Sequence, residues 1–121
     1  MIWVRIGSAL MFLAVALGAF AAHGLRGRLS AEMLQIFETG VRYHFYHALG
    51  IFVVAWLSKT EPSGWATAAG WCLLAGIVIF SGSLYVLSLS GVRWWGAITP
   101  LGGVAFLCGW ALLAIASFRA A

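Results

Sequence analysis

Apolar residues run along this chain in four long blocks separated by short polar breaks, and the blocks read as membrane-spanning helices. The first covers Ile2 to Ala22 and is broken only by Arg5, close enough to the end for its side chain to snorkel to water. The second runs from about Val41 to Leu57 and the third from Trp65 to about Leu87. Thr99 and Pro100, an N-cap followed by a first-turn proline, open the fourth, which reaches Phe118. At about 1.5 Å per residue the fourth block extends roughly 28 Å, just enough to cross a hydrocarbon core about 30 Å thick. Lys59, Glu61, Pro62 and Gly64 form the clearest turn. Ser90 and Gly91 end the third block, and Trp94 and Trp95 suit the headgroup level.

Residues 23–42 are the most polar stretch. Ser30 is a good N-cap, and after it Met33, Ile36, Phe37 and Gly40 share one helical face while Glu32, Gln35 and Thr39 share the other. This pattern predicts a short amphipathic helix over about 30–39, lying in the interface between spans one and two. The first block also has the look of a signal peptide, with a basic start and an Ala19-Phe20-Ala21 site, but it is read here as a retained span.

Composition decides between water and lipid. The chain has 121 residues, of which 64% are apolar and 8% charged, against roughly 45–50% and about 25% for soluble domains. So few charged side chains cannot cover a soluble exterior. Four spans use nearly the whole length, so residues 1–121 read as one transmembrane domain, an all-α integral membrane four-helix bundle, with the lipid bilayer as its first partner. The formal charge of +4 comes from scattered residues, with no basic stripe that would suit nucleic acid. Cys72 and Cys108 lie far apart in apolar runs without a CxxC pair and read as packing residues. There is no HExxH, GxSxG, phosphate loop or dinucleotide fingerprint, and no Asp for a Ser-His-Asp triad. The sequence therefore points to no cofactor and to a protein that is not an enzyme.

Small residues recur at helical spacing. Ala14, Gly18 and Ala22 stand four apart in span one, and Gly102, Ala105 and Gly109 share a face in span four. Such rows let helix backbones approach closely where lipid provides no hydrophobic drive, either within the chain or in a homo-oligomer.

With four spans, most hydrogen-bonding side chains fall in one half of the bundle. That half holds His23, Glu38, Arg42, Tyr43, His44, His47, Ser81, Ser83 and Tyr85. His47 lies about 18 Å along the helix from the Lys59 turn, deep in the core, where an ionisable residue is by default a candidate functional site. His44 and His47 share a face, as do Tyr43 and His47. Glu38 and Arg42, acid first at four-residue spacing, predict an ion pair at the mouth of this half. Three readings stay open for the histidines. They can link helices through hydrogen bonds to Tyr, Ser or backbone carbonyls, carry protons or line a solute path, or contribute to a metal site with His23, for which no cysteine or carboxylate motif gives support.

The segments GAFAAHGL (18–25), FETGVRYHFYHALG (37–50), FSGSLYVLSLSG (80–91) and ITPLGG (98–103), followed by FLCGW, resemble a family of small four-helix membrane proteins of unknown function, widespread in bacteria and with a eukaryotic transmembrane relative. The resemblance covers nearly the whole chain; Ala21 stands where the family often has Gly. It implies four spans and a bacterial inner (plasma) membrane location, and brings no catalytic residues. The expected function is that of a non-enzymatic membrane component, an accessory subunit or scaffold, with a homo-oligomer or another membrane protein as partner. A small proton-linked or solute transporter or channel is the second expectation and a membrane-embedded enzyme the last. Arg26, Arg28, Arg42 and Arg93 on the polar side against Arg5, Lys59 and Arg119 opposite predict a cytoplasmic polar side, with both termini outside.

Overall fold

The computed structural model describes residues 1–120 and is all-helical, with no strand among them. Helix α1 spans Ile2–His23 and α2 spans Ala31–Leu57. Helices α3 (Trp65–Gly76) and α4 (Gly82–Ser90) are joined end to end by a π-helical segment, Ile77–Ser81. A short 3₁₀ turn, Arg93–Ala97, leads into α5 (Thr99–Ala120). The molecule is thus four long rods, the third being α3, the π segment and α4 together.

Three of these rods are long and apolar enough to cross a membrane: Ile2–His23, Trp65–Ser90 and Arg93–Ala120. Helix α2 is not one of them. Its 27 residues run without a break from Ser30, whose hydroxyl accepts the Met33 N–H at 3.2 Å. The separate interfacial helix expected over 30–39 is therefore absent as a distinct element. Its residues are the first turns of α2, because no Gly or Pro interrupts the backbone ladder there apart from Gly40, which remains helical.

Glycines show how the rods pair. Gly7 of α1 faces Ile51 and Phe52 of α2, and Gly18 faces Val41, so these helices run antiparallel. Gly50 meets Leu73 while Gly40 meets Leu84 and Tyr85, so α2 also opposes the α3–α4 rod. Gly109 abuts Leu73, Gly76 abuts Phe106 and Gly102 abuts Phe80, so α5 returns along the same rod. A Cβ at Gly102 would stand 2.4 Å from the Phe80 backbone nitrogen, a helix-to-helix approach that a side chain would prevent.

Of the expected packing residues, Ala14, Gly102 and Gly109 are buried, while Gly18 and Ala105 are half-buried. Ala22 is exposed, and Ala21 is the buried neighbour that packs with Leu25, Phe37 and Val41. The four-residue row drifts off the contact face at its last step because the contact follows Gly7, Ala14, Gly18 and Ala21 instead. A larger apolar cluster holds the opposite half, with Trp3, Ile51, Val54, Leu73, Phe106 and Leu113 at its centre. The exterior is reversed relative to a soluble protein: Phe12, Leu107 and Phe118 are 75%, 72% and 82% exposed.

The turn between α2 and α3 is built on a buried carboxylate. Glu61 is 4% exposed, and its Oε1 accepts the Ser63 N–H at 2.6 Å and the Ser63 hydroxyl, while its Oε2 accepts the Ala66 N–H at 3.2 Å. It thus caps the start of α3, where an anion also meets the positive end of the helix dipole.

Candidate functional site in the polar half

The polar half is where α2 and α4 meet near the loops 24–30 and 91–98. Helix α2 presents Gly40, His44 and His47 on its buried face, at spacings of four and three. The α3–α4 rod answers with Ser81, Ser83 and Tyr85.

Each pairing is short. The Ser81 hydroxyl donates to the Gly40 carbonyl at 2.7 Å, reaching across because Gly40 has no side chain in the way. Ser81 is the last residue of the π segment, a geometry that leaves backbone groups out of step and recurs at functional positions. His44 Nδ1 and the Tyr85 hydroxyl share a hydrogen bond at 2.9 Å. Ser83 and Thr99 share one at 2.6 Å, tying α4 to α5.

His47 is held differently. Its Nδ1 lies 2.6 Å from the Tyr43 carbonyl one turn earlier. A carbonyl only accepts, so the neutral ring carries its proton on Nδ1. The ring stacks on Phe106 with centroids 3.4 Å apart and planes 9° apart, and Trp110 leans against it at 5.8 Å. His47 therefore bridges α2 to α5 by stacking, without a polar bond between helices.

One polar atom is left over. His44 Nε2 is buried with no hydrogen-bond partner.

The remaining sequence candidates lie outside this core. His23 is exposed at the end of α1, away from the other two histidines, and no group of three His, Cys, Asp or Glu among the described residues stands close enough to hold a metal ion. Glu38, Arg42 and Tyr43 are exposed. Glu38 and Arg42 do not form the expected ion pair. The pair that does form joins Glu32 at the start of α2 to Arg93 in the 3₁₀ turn, with nitrogen–oxygen distances of 2.9 and 3.2 Å. The Arg93 hydrogen bonds and charge hold the Glu32 carboxyl below the usual carboxylate range. The bidentate fork of Arg93 secures this carboxylate, and spacing within one helix had no way to show a partner 61 residues away.

Two participants escape sequence reasoning altogether. Phe106 gives no signal in an apolar run, and the cap formed by Glu61 reads from sequence only as turn polarity. The surface clefts seen among the described residues are lined mainly by α1 and α2, and neither His44 nor His47 lines any of these.

Residues 17–103 match the family described as "Protein of unknown function (DUF423)". The chain is 51% identical over 119 residues to the UPF0382 membrane protein YwdK of Bacillus subtilis, covering 98% of this chain and 97% of that one. It is 42% identical to a UPF0382 membrane protein of Staphylococcus haemolyticus and 45% identical to one of Staphylococcus epidermidis, each over 118 residues with 98% and 96% of the two chains covered. No solved structure matches the chain.

Proposed function

The chain belongs to the DUF423 family, whose relatives here are named bacterial membrane proteins, and from that premise we propose that it is a four-span, non-enzymatic component of the bacterial inner membrane, a scaffold or accessory subunit whose polar half joins its own helices. Helix α2 is the span that composition alone does not declare. It lies antiparallel to α1 and to the α3–α4 rod, and its packing along rods long and apolar enough to cross supports a fourth span. Its polar residues split into an inward set, His44 and His47, and an outward set confined to its first turns.

The observation that carries the reading is the use of the buried polar groups. Ser81, Ser83, Thr99 and Tyr85 are spent on links between helices, and no cleft among those seen opens onto the histidines. A transport path needs polar groups facing water, and these face each other. Arg26, Arg28, Arg42 and Arg93 on the polar side, against Arg5, Lys59 and Arg119 opposite, support an orientation with that side in the cytoplasm and both termini outside. Lipid is the constant partner, and a second copy or another membrane protein would dock on the exposed apolar faces.

One observation favours a second reading. The unpartnered His44 Nε2 is what a proton carrier would need. Reconstitution into liposomes holding a pH-sensitive dye, under an imposed proton gradient, separates the two. The scaffold reading expects the same leak as empty liposomes, for wild type and for His44→Gln and His47→Gln alike. A leak abolished by His44→Gln would overturn it. A reporter fused after Ala121 that works only in the cytoplasm would reverse the orientation.

A further inference from the structure

The outward face of α2 carries a charge pattern that the helix links leave unused. Glu38, Arg42, Tyr46, Leu49, Val53 and Trp56 are all exposed and follow one another at spacings of three and four, a single stripe down the helix. The stripe is charged at Glu38 and Arg42 and turns apolar from Tyr46. From there the apolar part continues to Trp56, next to the Lys59 turn. Counted back from that turn, a hydrocarbon core about 30 Å thick ends about 20 residues earlier, so Glu38 stands at the headgroup boundary of the polar-side leaflet and Arg42 about one turn inside it, from where its long side chain snorkels to the phosphates.

There the two side chains line an open cleft of about 290 Å³ between α1 and α2, with Gly18, Ala21 and Val41 as its other walls. Neither charge has a partner within ion-pairing distance among the described residues. The walls are small or apolar, so the cleft offers one anion-binding and one cation-binding group over a surface suited to hydrocarbon.

The order of the charges names the ligand. Helix α2 runs inward from Ala31, so Glu38 is outermost and Arg42 lies one turn deeper, a rise of about 6 Å. In a phospholipid the phosphate lies nearer the acyl chains and a headgroup amine lies farther out. We infer that the α1–α2 cleft is a binding site for an amine-bearing phospholipid of the phosphatidylethanolamine type. Arg42 donates to the phosphate, Glu38 accepts from the ammonium, and an acyl chain lies against Gly18 and Val41. The reverse order of charges would not fit this headgroup, and a purely anionic lipid would leave Glu38 repelled.

This inference rests on the four-span placement of α2 proposed above, so the test begins by fixing it. Single cysteines at Glu38 and at Leu49, in a chain lacking Cys72 and Cys108, are labelled in vesicles with a membrane-impermeant thiol reagent. Labelling at 38 and protection at 49 sets the depth, and labelling at both would overturn the placement and the site with it. Full-length protein in detergent is then offered equal amounts of phosphatidylethanolamine, phosphatidylcholine and phosphatidylglycerol with matched chains, and bound lipid is counted by native mass spectrometry. Phosphatidylcholine is the decisive control, since it has the same phosphate and charge but no N–H to donate.

The expected result is one phosphatidylethanolamine retained about tenfold over phosphatidylcholine, the ratio of a charge-assisted hydrogen bond. Glu38→Gln brings the two lipids close to equal retention, lowering phosphatidylethanolamine far more than phosphatidylcholine, which loses only the attraction of its ammonium charge and no hydrogen bond. Arg42→Ala lowers both, and Arg42→Lys restores most of the loss. Both residues are exposed, so neither change disturbs the core. Equal retention of the two lipids by wild type, or a preference for phosphatidylglycerol, in a protein whose depth at 38 and 49 holds, would overturn the site and leave the four-span reading intact.

Discussion

Gly102→Ala adds one methyl group where α5 crosses the π segment, and the structure gives its cost. The new Cβ would stand 2.4 Å from the Phe80 nitrogen and 2.7 Å from its Cα and Cβ. That is about 1 Å short of an ordinary contact between heavy atoms. Two of these atoms are backbone, so no rotamer change relieves the clash and the rods must separate. Overpacking a well-packed contact costs about 1–3 kcal/mol, and immovable backbone puts this site at the upper end. Against it stands the gain of about 0.5–1 kcal/mol when alanine replaces glycine inside a helix. The net expectation is a loss of about 2 kcal/mol. Gly103 supplies the control, because a Cβ there meets nothing within 4 Å. Gly103→Ala collects the helix gain alone, so the difference between the two variants isolates the steric cost at about 3 kcal/mol. Unfolding in mild detergent, followed by circular dichroism against added denaturing detergent, measures both. Equal stabilities for the two alanine variants would refute the close approach of α5 to the π segment.

Tyr85→Phe leaves both nitrogens of His44 without a partner and should cost about 1–3 kcal/mol in the same assay, whereas the pair His44→Phe with Tyr85→Phe should fall well short of the sum of the single changes. Glu61 adds a pH dependence. Burial, the largest single influence, opposes its ionisation, but the hydrogen bonds from Ser63, Ala66 and Trp65 together outweigh it and lower its pKa from 4.5. The folded carboxylate holds its proton less tightly than the unfolded one. Its stabilisation is therefore complete above the unfolded value and is lost as pH falls through the folded value. Unfolding midpoints measured from about pH 7 down to about pH 3 should drop less steeply for Glu61→Gln than for wild type, and parallel curves would discard the cap. The Glu32–Arg93 pair is exposed, so Arg93→Gln should lower the midpoint at low salt and match wild type near 1 M salt, where the screening length is about 3 Å.

The chain's helical, membrane-length character was legible because it needs only long apolar runs and sparse charge, and the ends of those runs carry recognisable punctuation at Ser30, Gly64 and Gly91. What stayed hidden depends on partners distant in sequence. Glu38 and Arg42 satisfy the spacing rule for a helix pair, yet spacing reports only that two side chains could meet. On this helix both point outward into a cleft. Arg93 reaches Glu32 because the 3₁₀ turn carries it over the start of α2, and no local pattern encodes that crossing. The interfacial helix was misplaced for a related reason. An amphipathic face over residues 30–39 has the same periodicity whether its apolar side rests on lipid or on Leu25, Val41 and Tyr85 of the same chain. Phe37, fully buried among those residues, shows that it is the latter.

The two halves of the molecule are held by different forces, and α1 is the rod least provided for by either. In lipid an apolar side chain gains nothing merely by leaving the solvent, so Trp3, Leu73, Phe106 and Leu113 hold their half through close contact. In the polar half, Ser81, Ser83, Tyr85 and Thr99 tie α2, α4 and α5 with hydrogen bonds. None of the side-chain hydrogen bonds seen starts from α1, whose contact with α2 rests on small residues at Gly7, Ala14, Gly18 and Ala21. The one buried side-chain polar atom without a partner among the described residues, His44 Nε2, lies on α2. Held without a side-chain hydrogen bond, α1 depends on its fit against α2, and that fit is tight: a Cβ at Gly7 would stand 3.0 Å from the Phe52 ring and 3.3 Å from Ile51.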